Sequence, residues 1–286
     1  MCGTCGCSGG SEGGTGTRIA LPHSPPHEGD HEHEHAPGHT HGPGQAHDHV
    51  HEHAEPHHGH AAPVAIRVAE EGPETVTLEQ RVLAKNEELA ARNRSWLAER
   101  GIVAVNLMSS PGAGKTTLLE RTIRDFAGLR PVSVVEGDQE TMLDADRIRR
   151  AGSTVVQVNT GAGCHLDAEM MRDALTTLAP VSGSLVLVEN VGNLVCPALF
   201  DLGEGSRVVI ISVTEGTDKP LKYPYMFAAA DLVIINKIDL LPYVDFDVAR
   251  CEEYARSVNP GLRLLTVSAT TGEGMRDWYD WVAERY

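Results

Sequence analysis

Between the apolar run Ile102 to Met108 and the amphipathic stretch Leu118 to Phe126 stands Ser109-Ser110-Pro111-Gly112-Ala113-Gly114-Lys115-Thr116-Thr117. Glycines here let the backbone curl so that several N–H groups aim at phosphate oxygens, and the start of the following helix adds partial positive charge. Lys115 has the reach for β and γ phosphates, and the Thr116 hydroxyl can ligate Mg²⁺. The chemistry is phosphate binding, with Gly112, Ala113, Gly114, Lys115, Thr116 and Thr117 as the cradle. The loop opens on Ser109 where the common pattern has Gly. The plain alternative is a Gly-rich turn that binds nothing.

Asn236-Lys237-Ile238-Asp239 follows another apolar run. A carboxylate at Asp239 can accept hydrogen bonds from the N1–H and the exocyclic amine of guanine; adenine offers neither there, so the carboxylate would stay unpaired on burial. Ser268-Ala269, near the next strand end, can set a backbone N–H against the guanine oxygen. The nucleotide expected is GTP. Two further strand ends carry acids, Glu136-Gly137-Asp138 and Glu189-Asn190-Val191-Gly192. Lys115, Asp138, Glu189 and Gly192 form the expected catalytic set: Thr116 and Asp138 for Mg²⁺, and the Gly192 N–H for sensing the γ-phosphate. Asp138 has a second reading, as N-cap of a helix over Gln139 to Arg149, and Glu189 a second reading as a satisfied buried acid. Asn193 stands where fast GTPases carry a water-orienting Gln, so intrinsic hydrolysis is expected to be slow.

Six cysteines without a disulfide setting favour metal binding or free thiols. Cys2, Cys5 and Cys7, in a compact Cys-x-x-Cys-Gly-Cys, let three thiolates converge on one ion such as Ni²⁺, the alternative being an incidental or redox role. Fourteen of the fifteen histidines lie between His23 and His60, either a metal reservoir or a solvated linker. Cys164-His165 follows the run Thr154 to Val158, and Cys196 lies four residues beyond Gly192. Two sulfurs and an imidazole suit Zn²⁺ or Ni²⁺ but leave a tetrahedral site one ligand short, for water or a second chain to supply. A nucleotide-linked dimer is therefore expected. Cys251, alone in a helical stretch, reads as structural.

These residues need elements to place them. Seven short apolar runs, Ile102 to Met108, Pro131 to Glu136, Thr154 to Val158, Leu185 to Glu189, Val208 to Val213, Leu232 to Asn236 and Arg263 to Val267, alternate with helical stretches. That pattern predicts an α/β fold, a P-loop GTPase domain whose mainly parallel sheet is covered by helices on both faces, with ligands at the strand carboxyl ends. The domain spans 76–286 and opens with a leading helix over 77–100, capped by Thr77 and Gln80, with Val82, Leu89 and Trp96 as its heptad stripe and Gly101 as its stop. Residues 1–75 hold eleven acids, two bases and no Phe, Trp or Tyr, and read as a disordered metal-binding tail, with its Cys motif at 2–7 and His-rich part at 23–60. The chain's net charge of −16 and lack of a basic cluster argue against nucleic acid as a partner. No apolar run of membrane-spanning length and no secretory leader is visible, so a cytoplasmic location is expected.

Together with Cys164-His165-Leu166-Asp167, Glu189 through Pro197 and Lys219-Pro220-Leu221-Lys222-Tyr223-Pro224, these motifs resemble the HypB-type GTPases that help insert nickel into [NiFe] hydrogenase. Cys2, Cys5 and Cys7 match the high-affinity nickel motif that opens some members, and Ser109 agrees with the family. The resemblance implies a GTP-dependent homodimer with slow hydrolysis. It also implies a Ni²⁺ or Zn²⁺ site at Cys164, His165 and Cys196 near the dimer interface, and delivery with HypA to the hydrogenase large subunit. No role attaches to Lys219 or Lys222, since Asp218 and Pro220 suffice to start a helix. A urease-accessory GTPase is the nearest rival, but its Cys-Pro-His motif is here Cys196-Pro197-Ala198. A nickel storage or detoxification protein, with the nucleotide site as its regulator, is the rival from another class.

Overall fold

The computed structural model describes residues 73–138, 143–161 and 163–286, with side chains from Leu78 onward. The Cys2, Cys5 and Cys7 motif and the histidine tract lie outside the described residues. Seven strands form one sheet: β1 Val103–Ser109, β2 Val132–Asp138, β3 Thr154–Asn159, β4 Leu185–Glu189, β5 Ser206–Ser212, β6 Leu232–Asn236 and β7 Arg263–Thr266, in the order β3-β2-β4-β1-β5-β6-β7. Every neighbouring pair is parallel, as the apolar runs predict. Among the described residues no helix is long and apolar enough to cross a membrane.

Continuous Val, Ile and Leu runs are needed because successive side chains enter different layers. Leu185 and Leu187 of β4 join the layer under helices α2 (Lys115–Phe126), α3 (Leu143–Ala151) and α8 (Met275–Ala283), while Val186 and Val188 join the layer under α1 (Pro73–Glu99) and α4 (Ala168–Leu178). Beyond β1 that second layer continues under α6 (Pro224–Ala228) and α7 (Val248–Val258). The short α5 (Lys219–Lys222) starts after Asp218 with Pro220 in its first turn, as those residues suggest. On the first face Trp278 and Trp281 are fully buried, and the Trp278 indole donates to Thr122 Oγ1 at 2.9 Å, fastening α8 to α2.

The leading helix departs from expectation in two respects. It begins at Pro73, so Thr77 and Gln80 lie within it rather than capping it. Its buried face is Asn86, Ala90, Asn93 and Leu97, whereas Val82 of the expected stripe is 48% exposed and Leu89 and Trp96 are only half-buried. A count of apolar residues overlooks this face because half of it is asparagine. Asn93 Nδ2 donates to the carbonyls of Ala168 (2.8 Å) and Leu202 (2.9 Å); Asn86 accepts from the Ala168 N–H (2.9 Å) and donates to the Asp201 carbonyl (2.8 Å). Buried amides satisfied in this way fix the helix by direction as well as by area.

Gly203 lies against this face at φ +88, and a Cβ there would strike the Ala90 carbonyl and stand 2.6 Å from Asn93 Cβ. Gly203→Ala should therefore cost about 2 kcal/mol or more, from left-handed strain plus displacement of α1. Gly205→Ala, whose methyl would meet the Ala104 carbonyl at an ordinary 3.5 Å, should cost clearly less. Urea unfolding of the two variants checks this.

Candidate nucleotide and metal site

β1 ends at Ser109, and the turn into α2 is made by Gly112 (φ +74) and Gly114 (φ +98), a backbone region that glycine occupies without a Cβ penalty. A Cβ on Gly114 would press on Asn236 Nδ2. That approach is used: Asn236 Nδ2 donates to the Ala113 carbonyl at 2.9 Å, and Asn236 Oδ1 accepts from the Ala269 N–H at 3.1 Å. One buried amide thus joins the phosphate loop to both segments expected to read the base. Lys237, itself left-handed at φ +63, lays its Nζ on the Gly112 carbonyl at 2.7 Å. Asp239 accepts from Ser268 Oγ at 2.6 Å, and that hydroxyl accepts from the Thr271 N–H.

Parallel register sets Glu189 level with Leu107 on one side and with Glu136 on the other. Lys115 is buried, and its Nζ donates to Ser109 Oγ at 2.8 Å, a contact that a glycine at 109 could not make. Burial draws the Lys115 ammonium below the usual lysine range, opposed by Glu189, Asp144, Asp138 and Glu136. Thr116 Oγ1 donates to Glu189 Oε1 at 2.8 Å. Burial pushes Glu189, 5% exposed, up to about 7 despite Lys115. Burial, with Glu189 and Asp138 adding repulsion, pushes Glu136, 2% exposed, up to about 8. On each of these acids Oε2 is buried without a hydrogen-bond partner among the described residues. Oxygen-only ligand sets of this kind suit Mg²⁺ beside nucleotide phosphates.

The carboxylates and the phosphate loop border a cavity of about 690 Å³. Asp138, the last residue of β2, lines it; the helix that follows is described from Leu143, with 139–142 outside the described residues. Gly192 lies so close to Pro111 that an added Cβ would stand 3.2 Å from the Pro111 Cα, which brings the loop after β4 against the phosphate loop. Glu136, Asp144 and Arg147 also stand in the cavity wall, the last two without a role in the motifs read from the sequence. Arg147 is held by both Glu120 oxygens (3.2 and 3.1 Å), by Asp144 (3.1 Å) and by Thr117 Oγ1 (3.3 Å). Glu136 opens the acidic strand-end motif visible in the sequence; Arg147 carries no local signal.

Cys164, His165 and Cys196 come together from the loop after β3 and the turn Cys196–Ala198, with their ligand atoms all within 4.8 Å of one another. Cys164 Sγ is 2.9 Å from Cys196 Sγ and 3.6 Å from His165 Nδ1. The imidazole stacks on Phe200 at 3.9 Å, and burial pulls it below the usual histidine range, favouring the neutral, metal-binding form. Two thiols and one imidazole fit nickel or zinc, and three donors leave a coordination position open. Cys164 also lines the nucleotide cavity. Asn193 joins the segments of Cys164 and Cys196: its Nδ2 donates to the Cys164 carbonyl (3.4 Å) and its Oδ1 accepts from the Val195 N–H (2.8 Å). Cys251 is buried in α7 and does not belong to this group, its thiol pushed up to about 12 by burial.

Comparison with known proteins agrees with this geometry. The model of the CobW/HypB/UreG nucleotide-binding domain matches residues 103–266. The hydrogenase maturation factor HypB of Rhizobium leguminosarum bv. viciae is 56% identical over 207 residues, 72% of this chain and 69% of that one. Among solved structures, HypB from Archaeoglobus fulgidus superposes with a TM-score of 0.66 at 42% identity, over 70% of this chain and 98% of that one. HypB from Helicobacter pylori, solved in complex with nickel, gives 0.66 at 39% identity, over 70% and 94%. With a P-loop, a seven-stranded parallel sheet and a match of this extent, the chain belongs to the HypB family of hydrogenase maturation factors, built on a P-loop nucleotide-binding domain.

Proposed function

We propose that the chain is a GTP-hydrolysing nickel metallochaperone that delivers Ni²⁺ to the large subunit of [NiFe] hydrogenase during maturation. The single observation that supports this best is the shared wall of the two sites: Cys164 borders the nucleotide cavity, and Cys196 lies on the same short segment as Gly192. In this reading Gly112 through Thr117 cradle the phosphates, and Asn236, Lys237, Asp239, Ser268 and Ala269 hold guanine. Thr116 and Asp138 hold Mg²⁺, oriented by Glu189, and Mg²⁺ there would neutralise charge on the phosphates. Lys115, Asp138, Glu189 and Gly192 carry catalysis, which is slow. Loss of the γ-phosphate moves Gly192 and with it Cys196, so that hydrolysis weakens the grip on the ion.

The rest of the reading follows from that cycle. Cys164, His165 and Cys196 hold Ni²⁺ in transit, or Zn²⁺ in its place, and a second copy of the chain in a GTP-dependent homodimer closes the site. A HypA-type accessory protein is the partner in delivery, in the cytoplasm, with no nucleic acid or membrane involved. Residues 1–75 form a separate metal-binding tail in which Cys2, Cys5 and Cys7 load nickel and the histidine tract stores it, ahead of the GTPase domain 76–286.

Three measurements test this. Lys115→Ala should lower GTP affinity at least about tenfold, by removing a buried charge-assisted contact, and should abolish hydrogenase maturation in cells; intact maturation would overturn the GTPase reading. In a chain with Cys2, Cys5 and Cys7 changed to Ala, Ni²⁺ affinity read from thiolate absorption should differ between GTP and GDP, and Cys196→Ala should both weaken binding and remove that difference. Equal affinity in the two nucleotide states before the change would refute the linkage, since a ligand shifts an equilibrium only through differential binding.

The third concerns pH. The Glu136 carboxyl titrates higher in the fold than in the unfolded chain, so the native state holds its proton more tightly, and stability is lost as pH rises from about 4.5 through about 8. Glu136→Gln should leave the nucleotide-free protein little changed at acid pH and raise its melting midpoint at pH 8. A variant that melts lower than the parent at pH 8 would contradict the assigned burial cost.

A further inference from the structure

Asn190 is 1% exposed, sits one residue past β4 and lines the nucleotide cavity. Its Oδ1 accepts two backbone hydrogen bonds, from the Leu166 N–H at 3.2 Å and from the Val191 N–H at 2.9 Å. Leu166 directly follows His165, and Val191 directly precedes Gly192. A single oxygen therefore joins the loop that bears two metal-binding side chains to the loop that faces the phosphates. The Leu166 side chain is buried on Gly137, where a Cβ would stand 2.8 Å from Leu166 Cγ, so the same residue also touches the Glu136-Gly137-Asp138 strand end.

The Asn190 side chain has no freedom to turn away. Its own N–H donates to the Leu107 carbonyl at 3.0 Å, and its Nδ2 donates to Asn106 Oδ1 at 3.3 Å. Asn106, fully buried in β1, donates in turn to Glu204 Oε1 at 3.2 Å; the same Glu204 oxygen accepts from Arg207 Nε at 2.7 Å, and Glu204 Oε2 accepts from the Leu202 N–H at 2.7 Å. This chain of partners, together with the two backbone N–H groups, sets the amide's orientation: nitrogen toward the sheet, oxygen toward the two loops. Because Asn190 and Val191 are consecutive, a shift of this segment carries with it the oxygen that holds the Leu166 N–H, and a buried N–H left unpaired is costly.

We infer that Asn190 is a positioning residue that couples the two sites, by clamping the Leu166 and Val191 amides so that the metal loop follows the phosphate-facing loop. This rests on the proposed linkage of metal affinity to nucleotide state and adds the group that transmits it. It predicts a coupling that passes through one hydrogen-bonded oxygen, independent of the segment shared by Gly192 and Cys196. Asn190→Ala removes the clamp. Asn106→Ala removes only the support behind it and leaves both amides bonded.

The test is amide exchange by NMR on the full chain with GDP and with a non-hydrolysable GTP analogue, read at Leu166 and Val191. In the unmutated protein both amides should change protection together when the nucleotide is exchanged. In Asn190→Ala both amides lose this acceptor, so exchange should rise at least about fivefold at Leu166 and at Val191; the response to nucleotide should vanish at Leu166 and persist at Val191, which adjoins Gly192. Asn106→Ala should keep the paired response.

A Leu166 amide that still tracks the nucleotide in Asn190→Ala overturns the inference, as does equal loss in both variants, which would mean general loosening. Should Asn190→Ala fail to fold, the unmutated protein decides: a response at Val191 with none at Leu166 also overturns it. Ni²⁺ titration in the background lacking Cys2, Cys5 and Cys7 separates the two readings. Paired amide responses with equal Ni²⁺ affinity in both nucleotide states would uphold the clamp and sink the nickel-release cycle.

Discussion

Parallel pairing of β2, β4 and β1 is the constraint on which this molecule is built. Because neighbouring strands run the same way, their carboxyl ends all finish on one edge, and the register brings Glu136, Glu189 and the start of the phosphate loop side by side. Apolar residues from both faces then bury that edge from beneath. The result is a small volume in which two acids stay partly protonated near neutrality and a lysine is held by a serine hydroxyl and surrounding carboxylates. Such a site is costly by itself and gains most from a ligand that brings both anionic phosphates and a cation. Its electrostatics and its affinity have the same origin.

Around that edge, asparagine does much of the fastening. Asn236 bridges the phosphate loop and the Ala269 turn, Asn193 bridges the segments of Cys164 and Cys196, Asn190 bridges the Leu166 backbone and the loop after β4, and Asn86 and Asn93 fix α1 to Ala168 and to Asp201–Leu202. A primary amide suits this work because it offers donors and an acceptor on a short stem and carries no charge to desolvate. Irregular loops at a ligand edge lack partners in the sheet for their backbone groups, and these amides supply them. In consequence, the loops take defined positions through side-chain partners instead of strand partners.

The local signals were legible in the sequence because each depended on adjacent residues. Strand runs buried on both faces, glycines at positive φ in the phosphate loop, and strand-end acids all announce themselves within a few positions, and the seven strands lie where their apolar runs placed them. The stripe of α1 misled because its anchors are Asn86 and Asn93, polar residues whose value lies in carbonyls and amides more than seventy positions away. Arg147 was illegible for a similar reason: its partners on α2, Glu120 and Thr117, are set beside it only by helix packing. The convergence of Cys164, His165 and Cys196 was suggested by loop positions, but their mutual spacing comes from β3 and β4 delivering their loops to the same corner.

The strand order also bears on how the chain matures at the ribosome. β1, which leads into the phosphate loop, pairs with β4 and β5 and with no strand adjacent to it in sequence. Its hydrogen bonds wait until Leu185 and Ser206 have been synthesised, and such distant pairings are slow to close. Between the synthesis of Thr117 and that of Leu185 the phosphate loop is a strand terminus without its sheet partners, and Cys164 and His165 emerge before Cys196. The phosphate loop thus becomes a finished edge only once β4 and β5 have been made, long after its own residues.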